Sequence, residues 1–381
     1  MSSAQASTPL PRILYVAPRY DYGDRARGES FTHHNFFDTF AAMGCDVLYV
    51  DSRTLEQDHG RECLNALLLD AARTGGCTAG FFCINDDEIS PATLTGVRDA
   101  LPTVNWFTDD HWRFERYSSK WAHLFTRVAT TDAQAIPKYH ALGLTGTVKT
   151  QWAVNPYLYR RLDTPKRYDV TFIGQPYGVR NDLIAHLQRS GISVECFGHG
   201  WPNGRVSQER MIEIFCQSRI NLNFATAAMT PKVPRPKGVA LLKRRIARWA
   251  GPLRGPLGIS GWIPSAPPPP KQVKGRNFEL PGCGAFTLTE PFDQLGEYFT
   301  GGEHLALFDG PDQLLSQVQK YLGDDALRER IADAGHAHCL AHHTYVHRFC
   351  ELLSALNVPC PAANDLLASP RPRGSVTYVQ P

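Results

Sequence analysis

Residues 274–290 read Lys-Gly-Arg-Asn-Phe-Glu-Leu-Pro-Gly-Cys-Gly-Ala-Phe-Thr-Leu-Thr-Glu. Two cations, Lys274 and Arg276, flank Gly275; a carboxylate follows at Glu279, then Gly282 and Gly284, then the apolar run from Ala285 to Leu288. This order predicts a short helix with a charged entrance, a Gly-marked turn and a buried strand. Cations and a carboxylate gathered where a helix meets a strand suit a ligand bearing both phosphate and hydroxyl groups. Guanidinium forks to phosphate, and carboxylate accepts from hydroxyls. A nucleotide sugar carries both. Arg276 and Glu279 are also i,i+3 neighbours on a helix, so a simple pair between them is the competing reading.

Working outward, 381 residues exceed one ordinary core and suit two domains. Hydrophobic content of 43% supports a packed interior, and 20% charged residues argue against general disorder. A net charge of +3 is too small for a chain devoted to nucleic acid. The ten cysteines are scattered with no Cys-x-x-Cys pair, which favours buried thiols in a reducing compartment over a disulfide framework or zinc site. The opening residues lack the apolar core of a signal peptide, and no run has the length needed to span a bilayer. The expectation is a cytoplasmic protein.

In the first half, Arg12 begins the apolar run Arg-Ile-Leu-Tyr-Val-Ala, typical of a strand covered on both faces. A polar loop from Arg19 to Glu29, holding Asp21, Gly23, Asp24, Arg25, Arg27 and Gly28, follows, then a helical pattern from Ser30 to Met43 and a strand from Asp46 to Asp51. This is one parallel βαβ unit, with its loop at the strand end where open α/β sheets bind ligands. Further strands are predicted at 80–84, 103–107 and 127–130. After the fourth strand stands Trp106-Phe-Thr-Asp-Asp-His-Trp-Arg-Phe-Glu115, in which Asp109, Asp110 and His111 have the chemistry of a base, a sugar ligand or a metal ligand. A metal is the weaker idea, because no second ligand group stands at a recognisable spacing. One aspartate has the alternative role of capping the helix that starts near His111.

The polar, Pro-bearing stretch from Gln151 to Tyr168 places a domain boundary. The α/β alternation then repeats. A strand from Tyr168 runs into Gly174-Gln-Pro-Tyr-Gly-Val-Arg180, a Gly-bearing loop before a helix that suits an anion. Strands are predicted at 194–198, 220–224 and 305–308, with helices at 310–321, 325–334 and 345–356. The expected architecture is α/β, two doubly wound Rossmann-like domains facing across a cleft. The first domain spans 12–160 and the second 168–356, with an insertion at 226–272 and a Pro-rich, poorly ordered tail at 359–381.

With these residues in view, the chain from Arg12 to about Leu353 resembles the CgeB-like, spore-maturation-protein type of GT-B glycosyltransferases. The likeness rests on Tyr20-Asp-Tyr-Gly23 and on the Trp106–Glu115 stretch in the first domain. In the second it rests on Asp169-Val-Thr-Phe-Ile-Gly174 with Arg180, Phe197-Gly-His199-Gly-Trp201, Asn221-Leu-Asn223, Gly275-Arg-Asn277-Phe-Glu279 with Gly284, and His343-Thr-Tyr345 with Arg348. The resemblance implies a nucleotide-diphosphate sugar donor bound mainly by the second domain, with Gly174, Arg180, His199, Lys274, Arg276, Asn277, Glu279 and Gly284 as its site. It implies an acceptor on the first-domain side, near Tyr20, Asp21, Tyr22 and Gly23, no catalytic metal, and no cofactor beyond the donor. Arg180, Lys274 and Arg276 would neutralise the leaving diphosphate, and Asp109, Asp110 or His111 would face the acceptor hydroxyl. Related retaining enzymes carry two glutamates with seven residues between them; Glu279 matches the second, and Lys271 stands where the first would be.

Between Asn223 and Glu279 there is no acidic residue, while Lys232, Arg235, Lys237, Lys243, Arg244, Arg245, Arg248 and Arg254 all occur. Residues 238–254 read as a cationic amphipathic helix. Docking on its own domain is the favoured reading. Contact with an anionic membrane at the inner face, bringing the enzyme to a lipid-linked acceptor, comes second, and nucleic acid third. The expected function is transfer of a sugar to an unidentified glycan, lipid-linked or protein acceptor. The rivals are a catalytically silent sugar-nucleotide or glycan binder, supported by Lys271, and a nucleic-acid-modifying transferase, supported only by the basic insertion.

Overall fold

The computed structural model describes residues 10–225, 271–292, 294–369 and 371–381. The cationic helix expected at 238–254, and with it the membrane contact, lie outside the described residues.

The first sheet contains β1 (Arg12–Ala17), β2 (Asp46–Asp51), β3 (Ala79–Phe82), β4 (Thr103–Phe107), β5 (Arg127–Thr130) and β6 (Val148–Lys149). The second contains β7 (Tyr168–Ile173), β8 (Val194–Phe197), β9 (Ser218–Asn223), β10 (Thr287–Thr289) and β11 (Ala306–Leu307). A last strand, β12 (Val376–Tyr378), returns to the edge of the first sheet beside β2. The orders are β12-β2-β1-β3-β4-β5-β6 and β11-β10-β9-β7-β8, and the pairs are parallel.

The apolar run of β1 is continuous because both of its faces are buried. Ile13, Tyr15 and Ala17 face a core completed by Phe36 and Phe40, whereas Leu14 and Val16 face one completed by Leu64, Leu68, Leu94 and Val97. Both sheets reverse direction at their first strand, between β1 and β3 and between β7 and β9. Crevices at such switch points, outside the carboxyl ends of the strands, are where open α/β sheets hold ligands.

Two findings differ from expectation. The helix Tyr345–Ala355 follows the second domain in sequence but packs on the first sheet: Tyr345, Phe349, Leu352 and Leu353 share a core with Ile13 and Tyr15, and Phe349 stacks on Phe40 at 4.0 Å. The tail is also ordered. It forms the helix Ala363–Ala368 and then β12, held by an ion pair from Arg373 to Asp38 (2.7 Å) and by Ser375 donating to Asp46. Its proline content had concealed a parallel edge strand. The two chain crossings between domains run side by side, the Val154 N–H donating to His343 O at 3.0 Å and the Tyr345 N–H to Val154 O at 2.9 Å. No helix among the described residues is long and apolar enough to cross a membrane.

Candidate active site

The stretch 274–290 folds as a helix over Arg276–Gly282, a turn through Gly284 at φ +63°, and the strand β10. A helix that leads into a parallel strand starts at the strands' carboxyl ends and runs back to their amino ends. Lys274, Arg276 and Glu279 therefore face the cleft. Gly284, roughly 12 Å farther along at a rise of about 1.5 Å per residue, does not. It lines a separate groove beside Arg161, so its expected place in the donor site is corrected. Asn277 is fully buried; its Oδ1 accepts the Lys274 N–H at 2.9 Å and shapes the helix entrance, while its Nδ2 has no hydrogen-bond partner among the described residues.

Between the domains lies a cavity of about 510 Å³. The first domain contributes Asp21, Arg27, Glu29, His34 and Asn35, and the second Gly174, His199, Gln208, Arg276 and Glu279. Tyr159, from the crossing segment, donates from its hydroxyl to Glu279 Oε1 at 2.9 Å, and Arg276 forms an ion pair with the other Glu279 oxygen. The i,i+3 pairing foreseen as the competing reading is thus present, yet both partners stay on the cavity wall. Around them, Asn35 Oδ1, Gln208 Nε2 and Arg276 Nε are buried with no hydrogen-bond partner of normal geometry among the described residues. Such atoms are rare in native interiors because each carries an unmet desolvation cost, and a polar ligand is one explanation for several in one cavity.

The loop after β1 closes one side. Asp21 receives Arg27 (3.0 Å) and, across the cleft, Arg205 of the second domain (2.9 Å), which also donates to Arg27 O at 3.1 Å. Gly23 has φ +72° and a Cβ there would strike the Arg53 side chain, so glycine is required. Tyr22 holds the left-handed φ of +56° and is 78% exposed, with the Arg27 guanidinium 4.5 Å from its ring centre. Tyr20 pairs with Glu29 in an isolated antiparallel bridge that closes the loop's base.

A second cluster joins the two domains. Lys274 is half-buried, and the loss of solvent pushes its pKa down to about 8; the Asp109 carboxylate opposes this and Arg180 adds to it. Asp109 and Lys274 also act on His111, whose pKa is lowered chiefly by burial, and His111 Nε2 has no hydrogen-bond partner among the described residues. Arg180 is buried against the Tyr177 ring at 3.8 Å and donates to Gln175 O and Phe224 O. The expectation for Asp110 is corrected. Only 1% exposed, it accepts from Thr130 Oγ1 at 2.6 Å and Tyr139 OH at 2.8 Å, facing into its own domain rather than towards an acceptor. Burial raises its pKa. Lys271 forms an ion pair at 3.3 Å with Glu290, at the carboxyl end of β10, whose carboxylate also accepts the Ala225 N–H. Among the described residues no group of three or more His, Cys, Asp or Glu side chains is arranged to hold a metal.

Sequence reasoning missed Tyr159, Arg205, Gln208, Asn35 and Glu29. Arg205 and Gln208 follow the Gly-His-Gly turn after β8, a position at a strand's carboxyl end that could have flagged them. Tyr159 sits at the very end of the expected first domain, just before the expected linker, and carried no local signal.

Residues 180–240 and 257–354 match a family model described as glycosyl transferase-like. No curated protein matches the sequence. Among solved structures, HepE of Anabaena in complex with UDP and glucose aligns at TM-score 0.58 and 12% identity, over 91% of this chain and 100% of that one. Sucrose-phosphate synthase of Thermosynechococcus elongatus aligns at 0.54 and 9%, over 94% and 99%. A DNA-modifying β-glucosyltransferase, studied with and without uridine diphosphoglucose, aligns at 0.53 and 11%, over 91% and 100%. Together with the two parallel sheets facing across a cleft, these likenesses establish a two-domain, Rossmann-like GT-B fold whose second domain carries the glycosyl transferase-like match.

Proposed function

We propose that this protein is a glycosyltransferase that moves a sugar from a nucleotide-diphosphate sugar to an acceptor bound on the first-domain side, within the CgeB-like branch of the GT-B enzymes. The observation that carries this reading is the interdomain cavity in which Glu279, Arg276, Asn35 and Gln208 gather, three of them with buried polar atoms that lack a well-formed hydrogen bond among the described residues. A carboxylate and two amides suit the hydroxyls of a ribose or hexose, and the guanidinium suits a phosphate. Lys274 and Arg180 add positive charge where a diphosphate leaves, a role they fill without a metal. Asp109 and His111 interact electrostatically with Lys274, the imidazole neutral at ordinary pH and able to take the proton of an acceptor hydroxyl.

HepE and the β-glucosyltransferase have been studied with UDP-glucose, which makes it the first donor to test. Calorimetric titration should show binding to the wild type that Arg276→Ala and Glu279→Gln each abolish. Unchanged affinity in both variants would overturn the assignment. Release of nucleotide diphosphate in a donor-hydrolysis assay, retained in chelator, separates an enzyme from a silent binder and tests the metal-independent mechanism.

A further inference from the structure

The sulfur atoms of Cys350, on the helix Tyr345–Ala355, and Cys360, on the segment that leads into the tail, lie 3.4 Å apart. Both side chains are half-buried, so a small reagent can reach them, while neighbouring Cys45 is fully buried. The chain turns between them at Asn357, which adopts the left-handed φ of +58° and brings the segment back along the helix. Cys350 Sγ is also 3.5 Å from Pro361 O, fixing its direction.

We propose that Cys350 and Cys360 form an oxidisable modification site, closing to an intramolecular disulfide when a low-molecular-weight disulfide such as oxidised glutathione is present, and that this closure staples the C-terminal tail to the first domain. The Cys360 thiolate attacks one sulfur of the oxidised glutathione, breaking its S–S bond and releasing one glutathione thiolate. Cys350 then loses its proton and attacks the Cys360 sulfur of the mixed disulfide, forming the Cys350–Cys360 bond and releasing the second glutathione. Two protein thiols are oxidised, one small disulfide is reduced to two thiols, and the two thiol protons pass to the two leaving thiolates. The order of attack follows from the contact between the thiols: the hydrogen bond from Cys350 holds the Cys360 pKa down, which favours Cys360 as the first nucleophile. The sulfurs need to approach by roughly 1.4 Å to reach a bond length of about 2.05 Å.

The staple has a path to the cleft. Beyond Cys360 the tail adds β12 to the sheet, where Tyr378 stacks on Tyr49 at 5.3 Å and lies under the Arg19 guanidinium at 5.2 Å. Arg19 forks to Glu29 at 2.9 and 3.2 Å, and Glu29 lines the interdomain cavity. Fixing the tail therefore fixes the strand that backs the acceptor-side loop.

The full chain would be incubated with oxidised glutathione and digested for peptide mapping. The expected product is a peptide bridged from Cys350 to Cys360, lighter by two hydrogens than the reduced pair. Limited proteolysis within the closed loop, residues 350–360, should slow by about tenfold or more, since closing a loop of this length restrains its opening by up to about 100-fold. Cys350→Ser and Cys360→Ser should each lose the bridge and the protection while binding UDP-glucose as the reduced wild type does. Separate glutathione adducts without a bridge, a bridge to Cys45, or equal cleavage rates in both redox states would overturn the proposal. The bridge is read by mass, so its failure is distinct from failure of the donor assignment.

Discussion

On the first-domain wall of the cleft, two consecutive aspartates take opposite tasks: Asp110 turns inward to Thr130 and Tyr139, while the Asp109 carboxylate acts electrostatically on Lys274 of the other domain. The second-domain wall divides its residues in the same way. Asn277 Oδ1 accepts from the Lys274 backbone, and Arg276 and Glu279 pair on the cavity surface. The walls differ in sign, the first offering a carboxylate and a neutral imidazole, the second offering cations. A group transfer that removes a proton from one substrate and a diphosphate from another needs that difference, and a two-domain fold supplies each sign from a separate core.

Breaking the first wall should have the largest effect. Asp109→Asn is expected to lower kcat by about 10²–10⁴-fold, the usual contribution of a positioned acid or base, with calorimetric donor affinity unchanged. Equal losses in donor affinity would place Asp109 on the donor instead. The neighbouring Asp110→Ala should do the reverse, stranding two buried hydroxyls and lowering unfolding free energy by about 2–5 kcal/mol in denaturant titration, while the folded variant still binds donor. A variant that is fully stable but inactive would return Asp110 to the chemistry.

The smallest effect sharpens the second wall. Because partial burial holds Lys274 at about 8, it loses its charge as pH rises through that value. Donor affinity should therefore weaken above about pH 8, by up to ~10-fold per pH unit. The sign for the unliganded fold is opposite. Keeping a charged lysine half-buried is costly, the unfolded chain holds that proton up to about pH 10.4, and stability rises across the interval. Lys274→Arg should flatten the binding limb, since a guanidinium keeps its charge; an unchanged limb would assign the titration to another group.

Much of the fold was legible from local pattern. The apolar run at Arg12–Ala17 announced a strand buried on both faces, and the alternation of strands and helices announced two parallel sheets. Where local pattern failed, partners distant in sequence decided. The tail's prolines suggested disorder, but β2 offers an open edge that β12 completes. Asp109 and Asp110 are indistinguishable as letters, and only the positions of Thr130 and Tyr139 separate them.

The sequence by itself therefore determined the two-domain α/β architecture and a helix entrance at 274–279 whose cations and carboxylate suit a sugar nucleotide, because hydrophobic period and residue chemistry are local properties. Only the tertiary structure decided that Arg276 and Glu279 pair yet still line a cavity, that Gly284 lies past the far end of its helix in a separate groove, and that Tyr159, Arg205, Gln208 and Asn35 belong beside them. Those side chains come from segments far apart in the chain and meet because two switch-point crevices close on one another, which no local spacing encodes.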